Sequence, residues 1–232
     1  MRLPPLHRGK LLRRYKRFLA DVRLEDGREV TAHCPNPGRM TSCMEPGCTV
    51  WLSHHDDPRR KLAWSWEISQ MDGARVLVNT ARPNRIVEEA VVAGQVPGLR
   101  GYADLRREVR YGERSRVDLL LEDPSRVRCW VEVKSVSLRV GPGEGAFPDA
   151  VTTRGARHAA ELAAQVAAGD RAVLFFLVSR GDIDTVRPAD EIDPAYGVAL
   201  RAAVASGVEL LAHRAIVDLD GVTVGPALPV RL

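Results

Sequence analysis

The chain has 232 residues, 45% of them apolar and 28% charged, with 34 Lys and Arg against 30 Asp and Glu. That balance excludes a disordered or acidic solvating region, and the length suffices to bury one large core or two small ones. The longest unbroken apolar run, Ala172 to Val178, falls far short of the roughly 18 residues that cross a bilayer. No apolar leader follows Met1-Arg2-Leu3-Pro4-Pro5, so a cytoplasmic protein without membrane contact is expected.

The charge is unevenly placed. Residues 1–24 hold eight basic residues against one acid, Asp21, a net +7, whereas the rest of the chain has 26 basic against 29 acidic. Arg13, Arg14, Lys16 and Arg17 lie in that segment with Tyr15 and Phe18 among them. A basic stripe with aromatic residues suits a phosphate backbone and its bases. It also suits a solvated strand face, where long charged side chains are cheap, or an acidic protein partner.

Residues 1–80 read as β structure. Phe18, Ala20, Val22 and Leu24 alternate with polar neighbours, Glu25-Asp26-Gly27 makes a turn, and Val30, Ala32 and Cys34 return. Further strands are predicted at Thr49–Ser53, Lys61–Ser69 and Arg75–Asn79. About five short antiparallel strands in this length suit a small closed barrel, an oligonucleotide-binding barrel among the options. Trp51, Trp64 and Trp66 fit its core or rim. Cys34, Cys43 and Cys48, with His33, lack the paired spacing of a zinc site, so no structural zinc is expected. His54-His55-Asp56-Asp57 reads as a solvated loop, since neighbours on a strand face opposite ways.

From residue 81 the texture becomes mixed α/β. Ile86, Val87, Ala90 and Val91 recur at helical spacing before Gly94. Three strand-like runs follow, Arg107–Tyr111, Arg116–Leu121 and Val127–Leu138, then an Ala-rich helix over Thr153–Ala168. Ala172–Val178 reads as a buried central strand. A helix opened by Asp190–Pro194 and running to Ser206 precedes a terminal strand pair, Glu209–Asp218 and Val222–Val224. Gly141-Pro142-Gly143-Glu144-Gly145 has no following Gly-Lys-Ser/Thr, so it reads as a mobile loop and not a phosphate-binding one.

The chemistry concentrates around the turn Asp123-Pro124-Ser125-Arg126. Antiparallel strands on either side bring Asp118 opposite Glu132 to within about one residue. Glu132 and Lys134 share one face, with Val131 and Val133 pointing the other way. Two hard carboxylates fit Mg²⁺ or Mn²⁺, and a lysine beside them can serve an attacking water or neutralise a phosphate. The pattern also occurs as a solvated surface pair. Glu88 and Glu89 on the preceding helix add acids, and Arg154 and His158, four apart on the later helix, can face a phosphate.

Several stretches resemble the sugar fermentation stimulation protein A family. They are Arg14 to Val22, Thr31 to Asn36, Asn84 to Ala90, Ser115 to Asp118, Val131 to Lys134, Phe147 to Thr152, and Arg154-Gly155 with His158. The resemblance runs from about Lys10 to Val230. It implies an oligonucleotide-binding barrel in residues 1–80 and a PD-(D/E)XK restriction-endonuclease-like α/β domain in residues 81–232. It also implies DNA binding without strong sequence preference and a regulatory link to sugar (maltose) metabolism. Carried over, Glu89 matches the helix acid, Asp118 the strand acid, and Glu132 with Lys134 the E-x-K pair. The stretch Asn36-Pro37-Gly38-Arg39-Met40 departs from the family's common Asn-Thr-Gly-Ser-Met.

The expected protein is therefore a DNA-binding phosphodiesterase. Asp118, Glu132 and Glu89 hold Mg²⁺ or Mn²⁺ and Lys134 serves the nucleophile. Arg13, Arg14, Tyr15, Lys16, Arg17, Arg154 and His158 contact nucleic acid. The alternative is a non-enzymatic DNA-binding regulator on an inactive nuclease fold.

Overall fold

The computed structural model describes residues 1–111 and 115–232. Its first six strands are β1 (Leu6–Tyr15), β2 (Leu19–Leu24), β3 (Glu29–His33), β4 (Thr49–His54), β5 (Trp64–Met71) and β6 (Ala74–Leu77). They hydrogen-bond in the order β3-β2-β1-β4-β5-β6, and a parallel pairing of β3 with β5, Ala32 opposite Trp64, closes five of them into a barrel. Alternation builds it: Ala20, Val22 and Leu24 point inward with Ala32, Leu52 and Trp66. β1 is too charged to show that alternation, and only Gly9 and Leu11 are buried in it. Gly9 is required there, because a Cβ would lie 2.6 Å from Val22 Cγ1.

The second half comprises α1 (Pro83–Val92), β7 (Asp104–Tyr111), β8 (Ser115–Asp123), β9 (Arg126–Val136), β10 (Leu138–Gly141), β11 (Gly143–Phe147) and α2 (Thr153–Ala167). These are followed by β12 (Arg171–Val178), β13 (Ile183–Pro188), α3 (Pro194–Ala205), β14 (Glu209–Val217) and β15 (Val222–Ala227). The main sheet has the order β15-β14-β12-β9-β8-β7, with β12 parallel to both β9 and β14. A strand covered on both faces must be apolar throughout, and β12 is buried from Ala172 to Val178. α1 and the outer wall of the barrel cover one face, where Trp51 and Ile68 pack with Ile86, Leu119 and Phe175. α2 and α3 cover the other through Ala159, Leu162 and Leu200. Thr152 caps α2 by accepting from Gly155 N at 3.0 Å. Asp193 caps α3 by accepting from Tyr196 N at 3.1 Å, with Pro194 opening the helix. No helix among the described residues is long and apolar enough to cross a membrane.

One expectation is overturned. Gly141–Gly145 is not a mobile loop: it forms the turn of the β10–β11 hairpin, and β11 pairs in parallel with β13, a strand that the sequence pattern did not signal. Side-chain alternation cannot reveal the glycine-rich β10–β11 hairpin, and β13 is too short and polar to stand out without it. The ladder forms because a bare Gly145 leaves room for Ile183, whose Cδ1 would stand 2.7 Å from a Cβ there.

Candidate functional site

The turn after β8 sets the register of the hairpin, pairing Leu119 with Val131. One step on, Asp118 stands across from Glu132, where the two strands part. Asp118 Oδ2 accepts from the backbone N–H of Val133 at 2.7 Å, and Oδ1 accepts from Asn84 Nδ2 of α1 at 2.6 Å. Glu132 is 2% exposed. Its Oε1 accepts from Lys134 Nζ at 2.6 Å and is in contact with His158 Nδ1 from α2. Arg154 Nε donates to His158 Nε2 at 3.2 Å. A ring nitrogen that accepts carries no proton, so the other nitrogen, Nδ1, is the donor to Glu132.

Oε1 of Glu132 thus has two partners, and Oε2 is buried with none. A bare, buried carboxylate oxygen is costly unless something else meets it. Burial, and next the charge of Glu132, push the Asp118 carboxyl up to about 6. Burial also works to raise Glu132, but the hydrogen bond from His158 and the charge of Lys134 outweigh it and hold that carboxyl below its ordinary value. Two hard oxygen donors, one crowded by negative charge and one unpartnered, fit a divalent cation of the Mg²⁺ or Mn²⁺ kind. Among the described residues no three His, Cys, Asp or Glu side chains gather closely enough to hold a metal unaided. Water and substrate oxygens would have to complete its shell, as Mg²⁺ prefers.

A cleft of about 300 Å³ lies beside this group, lined by the residues that hold the carboxylates and not by Asp118 or Glu132 themselves. Asn84, Val133, Lys134 and Arg154 lie on its α/β side, and Asn36, Pro37 and Gly38 of the barrel form the opposite wall.

The remaining expected site residues fall into place unevenly. Glu89 is not brought to the carboxylates. It lies five residues from Asn84, about 140° around the helix at 100° per residue. Its carboxylate pairs instead with the Met1 ammonium and with Arg85 Nε, each at 2.9 Å. The α1 acid on the Asn84 side is Glu88, paired with Arg107 at 3.2 Å. His158, buried against Glu132, is not presented to a phosphate, whereas Arg154 is exposed at the cleft. Arg14 is likewise turned inward, its guanidinium donating to the carbonyls of Asn36 at 2.8 Å and Gly38 at 3.0 Å.

Arg13 pairs with Asp21 at 2.7 Å and lies over the ring of Tyr15, whose hydroxyl donates to Asp21 at 3.2 Å. Arg8 and Arg23 pair with Glu25 of the β2–β3 turn and Glu29 of β3, so acids just beyond the segment offset two of its seven excess positive charges. Lys16 and Arg17 make no ion pair among the described residues and form the exposed β1–β2 turn.

The thiols of Cys34, Cys43 and Cys48 are all pushed up by burial. Cys34 lies 3.5 Å from Met40 Sδ and Cys43 donates to the Ser137 carbonyl. Sequence reasoning missed Asn84. An asparagine at the second position of a helix reads as part of its start, and only the tertiary packing of α1 on β8 gives it Asp118.

Comparison with known proteins agrees with this architecture. The family described as the SfsA N-terminal OB domain matches residues 12–78, and the Sugar fermentation stimulation protein RE domain matches residues 81–221. A sugar fermentation stimulation protein homolog of Geobacter metallireducens is 56% identical over 235 residues, covering 100% of both chains. One from Geobacter sulfurreducens is 55% identical over 226 residues, 97% of this chain and 96% of that one. The structure of Pyrococcus furiosus SfsA in complex with Ca²⁺ superposes with a TM-score of 0.90 at 29% identity, covering 100% of this chain and 98% of the other. A barrel closed by β3 and β5, an α/β domain of matching topology and relatives aligned end to end together place this protein in the sugar fermentation stimulation protein (SfsA) family.

Proposed function

We propose that this protein is a divalent-metal-dependent phosphodiesterase acting on DNA, with its centre at Asp118, Glu132 and Lys134. The observation that carries the reading is the bare Oε2 of Glu132 beside a second, charge-crowded carboxylate, with Lys134 on the same strand face. A bound Mg²⁺ or Mn²⁺ would supply Lewis acidity for the charge that builds on the phosphoryl oxygens. Asp118 and Glu132 would hold it, and a family relative whose structure is a complex with Ca²⁺, another cation that takes oxygen ligands, supports the binding of a divalent cation.

The other groups follow from their positions. Lys134, partly buried at the cleft and anchored to Glu132, orients the attacking water or neutralises the phosphate. The exposed head of Arg154 faces the cleft and donates to a phosphate oxygen. Asn84 and the Val133 N–H keep Asp118 aimed, and His158 does the same for Glu132. The experiment is cleavage of labelled DNA with Mg²⁺ or Mn²⁺, beside Asp118→Ala and Glu132→Ala variants. Metal-dependent cutting by the native chain, lost in both variants, is expected. Binding without cutting, equal in all three proteins, overturns the enzyme and leaves a non-enzymatic DNA-binding regulator.

A further inference from the structure

We propose that the cleft admits one unpaired nucleic-acid strand and passes it to a stacking platform made by Phe18 and His33 on the barrel. This rests on the function proposed above and specifies its substrate class.

The cleft wall contributed by the barrel is tied at both ends. Arg14 holds the carbonyls of Asn36 and Gly38, and Asn36 Nδ2 donates to the Val78 carbonyl at 3.1 Å. On the far side Met40 N donates to Asp149 Oδ2 at 3.1 Å, so the loop reaches across to the α/β domain. Gly38 lies so close to the Asp149 carboxylate that any side chain there would collide with it. Lifting this wall would break ties in the barrel and in the α/β domain together. The space beneath it is about 300 Å³, a confined volume that suits one chain and not two paired ones.

The strand has a defined place to go. His33 is three residues from Asn36, at most about 10 Å of extended chain. The Cys34 N–H donates to the Phe18 carbonyl at 2.8 Å, which fixes Phe18 beside that path. Phe18 is 43% exposed, and its ring centre lies 6.4 Å from that of His33 with the planes tilted by 32°. Next to them are Lys16 and Arg17, held at φ 46° and 65°. Left-handed backbone in two successive non-glycine residues is uncommon. The turn therefore sets two cations, without ion pairs among the described residues, beside the exposed ring of Phe18 and the half-buried ring of His33. Arg8, Arg13 and Arg23 on the same strands are all neutralised by acids. Cations for phosphates and π-faces for bases, side by side, are what an unpaired strand needs.

The test is fluorescence anisotropy in EDTA with a single strand, a blunt duplex and a duplex bearing a single-stranded tail. The single strand and tailed duplex are expected to bind at least about tenfold more tightly than the blunt duplex. Phe18→Ala should weaken single-strand binding by about 5- to 100-fold with its salt dependence unchanged. Lys16→Glu with Arg17→Glu should instead flatten the salt slope by about 1.4 or more. All these side chains are exposed, and circular dichroism of the variants should match the native chain.

Equal affinity for blunt duplex and single strand overturns the proposal, as does an unchanged Phe18→Ala. Displacement of the strand by polyglutamate as readily from Phe18→Ala as from the native chain assigns the turn to an acidic protein surface and overturns it too. Adding Mn²⁺ separates the two readings. Cutting without strand preference defeats this inference alone, whereas binding without cutting defeats the phosphodiesterase.

Discussion

Two of the buried carboxylates, Glu67 in the barrel and Glu132 in the α/β domain, are finished differently. Glu67 of β5 is fully buried, and both its oxygens are used. Oε1 accepts from Ser53 Oγ at 2.8 Å and Arg82 Nη2 at 2.7 Å. Oε2 accepts from Asn79 Nδ2 at 2.8 Å and Arg82 Nε at 3.0 Å. It joins the barrel to the residue preceding α1, and nothing remains for a ligand. Glu132 is as deeply placed, yet its donors all converge on Oε1 and Oε2 is left bare. A buried charge therefore marks a site only when its hydrogen-bonding capacity is incomplete. The completed one is architecture.

That contrast can be broken by mutation, and the largest effect belongs to the open carboxylate. Glu132→Ala or Asp118→Ala should lower DNA cleavage by about a thousandfold or more, several kcal/mol of lost transition-state stabilisation, with far-ultraviolet circular dichroism unchanged. Glu67→Ala should do the reverse. It strands the Arg82 guanidinium, and a loss of about 3 kcal/mol in denaturant unfolding is expected, with cleavage per folded molecule preserved. Similar activity losses from both substitutions would erase the distinction.

The next effect sharpens why Oε2 is the free atom. An asparagine amide can sit near the place of His158 Nδ1, whereas a glutamine amide reaches toward Nε2. His158→Asn should hold Mn²⁺ affinity within about threefold, and His158→Gln should weaken it by about 10- to 100-fold in calorimetry. Equal losses would show that the ring only fills space.

The smallest effect is graded by pH. Without a cation Asp118 keeps its proton up to about pH 6, because burial and the Glu132 charge disfavour the anion. A metal must displace that proton, so Mn²⁺ affinity should rise about tenfold per pH unit below about 6 and level off above it. An affinity flat from pH 4.5 to 7 would remove Asp118 from the ligand set.

Much of this was legible in the chain because the signals were local. Alternation in Ala20, Val22 and Leu24 names a half-buried strand, and the apolar Ala172–Val178 run names a central one. The Asp123–Arg126 turn ties its two strands into one register up to Leu119 and Val131, so the nearness of Asp118 and Glu132, one step beyond, could be read from spacing. Lys134 followed from a period of two. What local signals cannot carry is the identity of a distant partner. Glu89 and Asn84 share one helix, and only packing sends the first to the chain's own N-terminus and the second to Asp118. His158 and Arg154 share one helical face, yet the sheet buries one against Glu132 and leaves the other at the cleft. Arg14 looked like its basic neighbours until the barrel closed and gave it carbonyls. Periodicity along a strand or helix determines which side chains share a face, since it follows from backbone geometry alone. The groups that each face meets come from segments far away in sequence, and those were decided only when the barrel, α1 and α2 packed around β9.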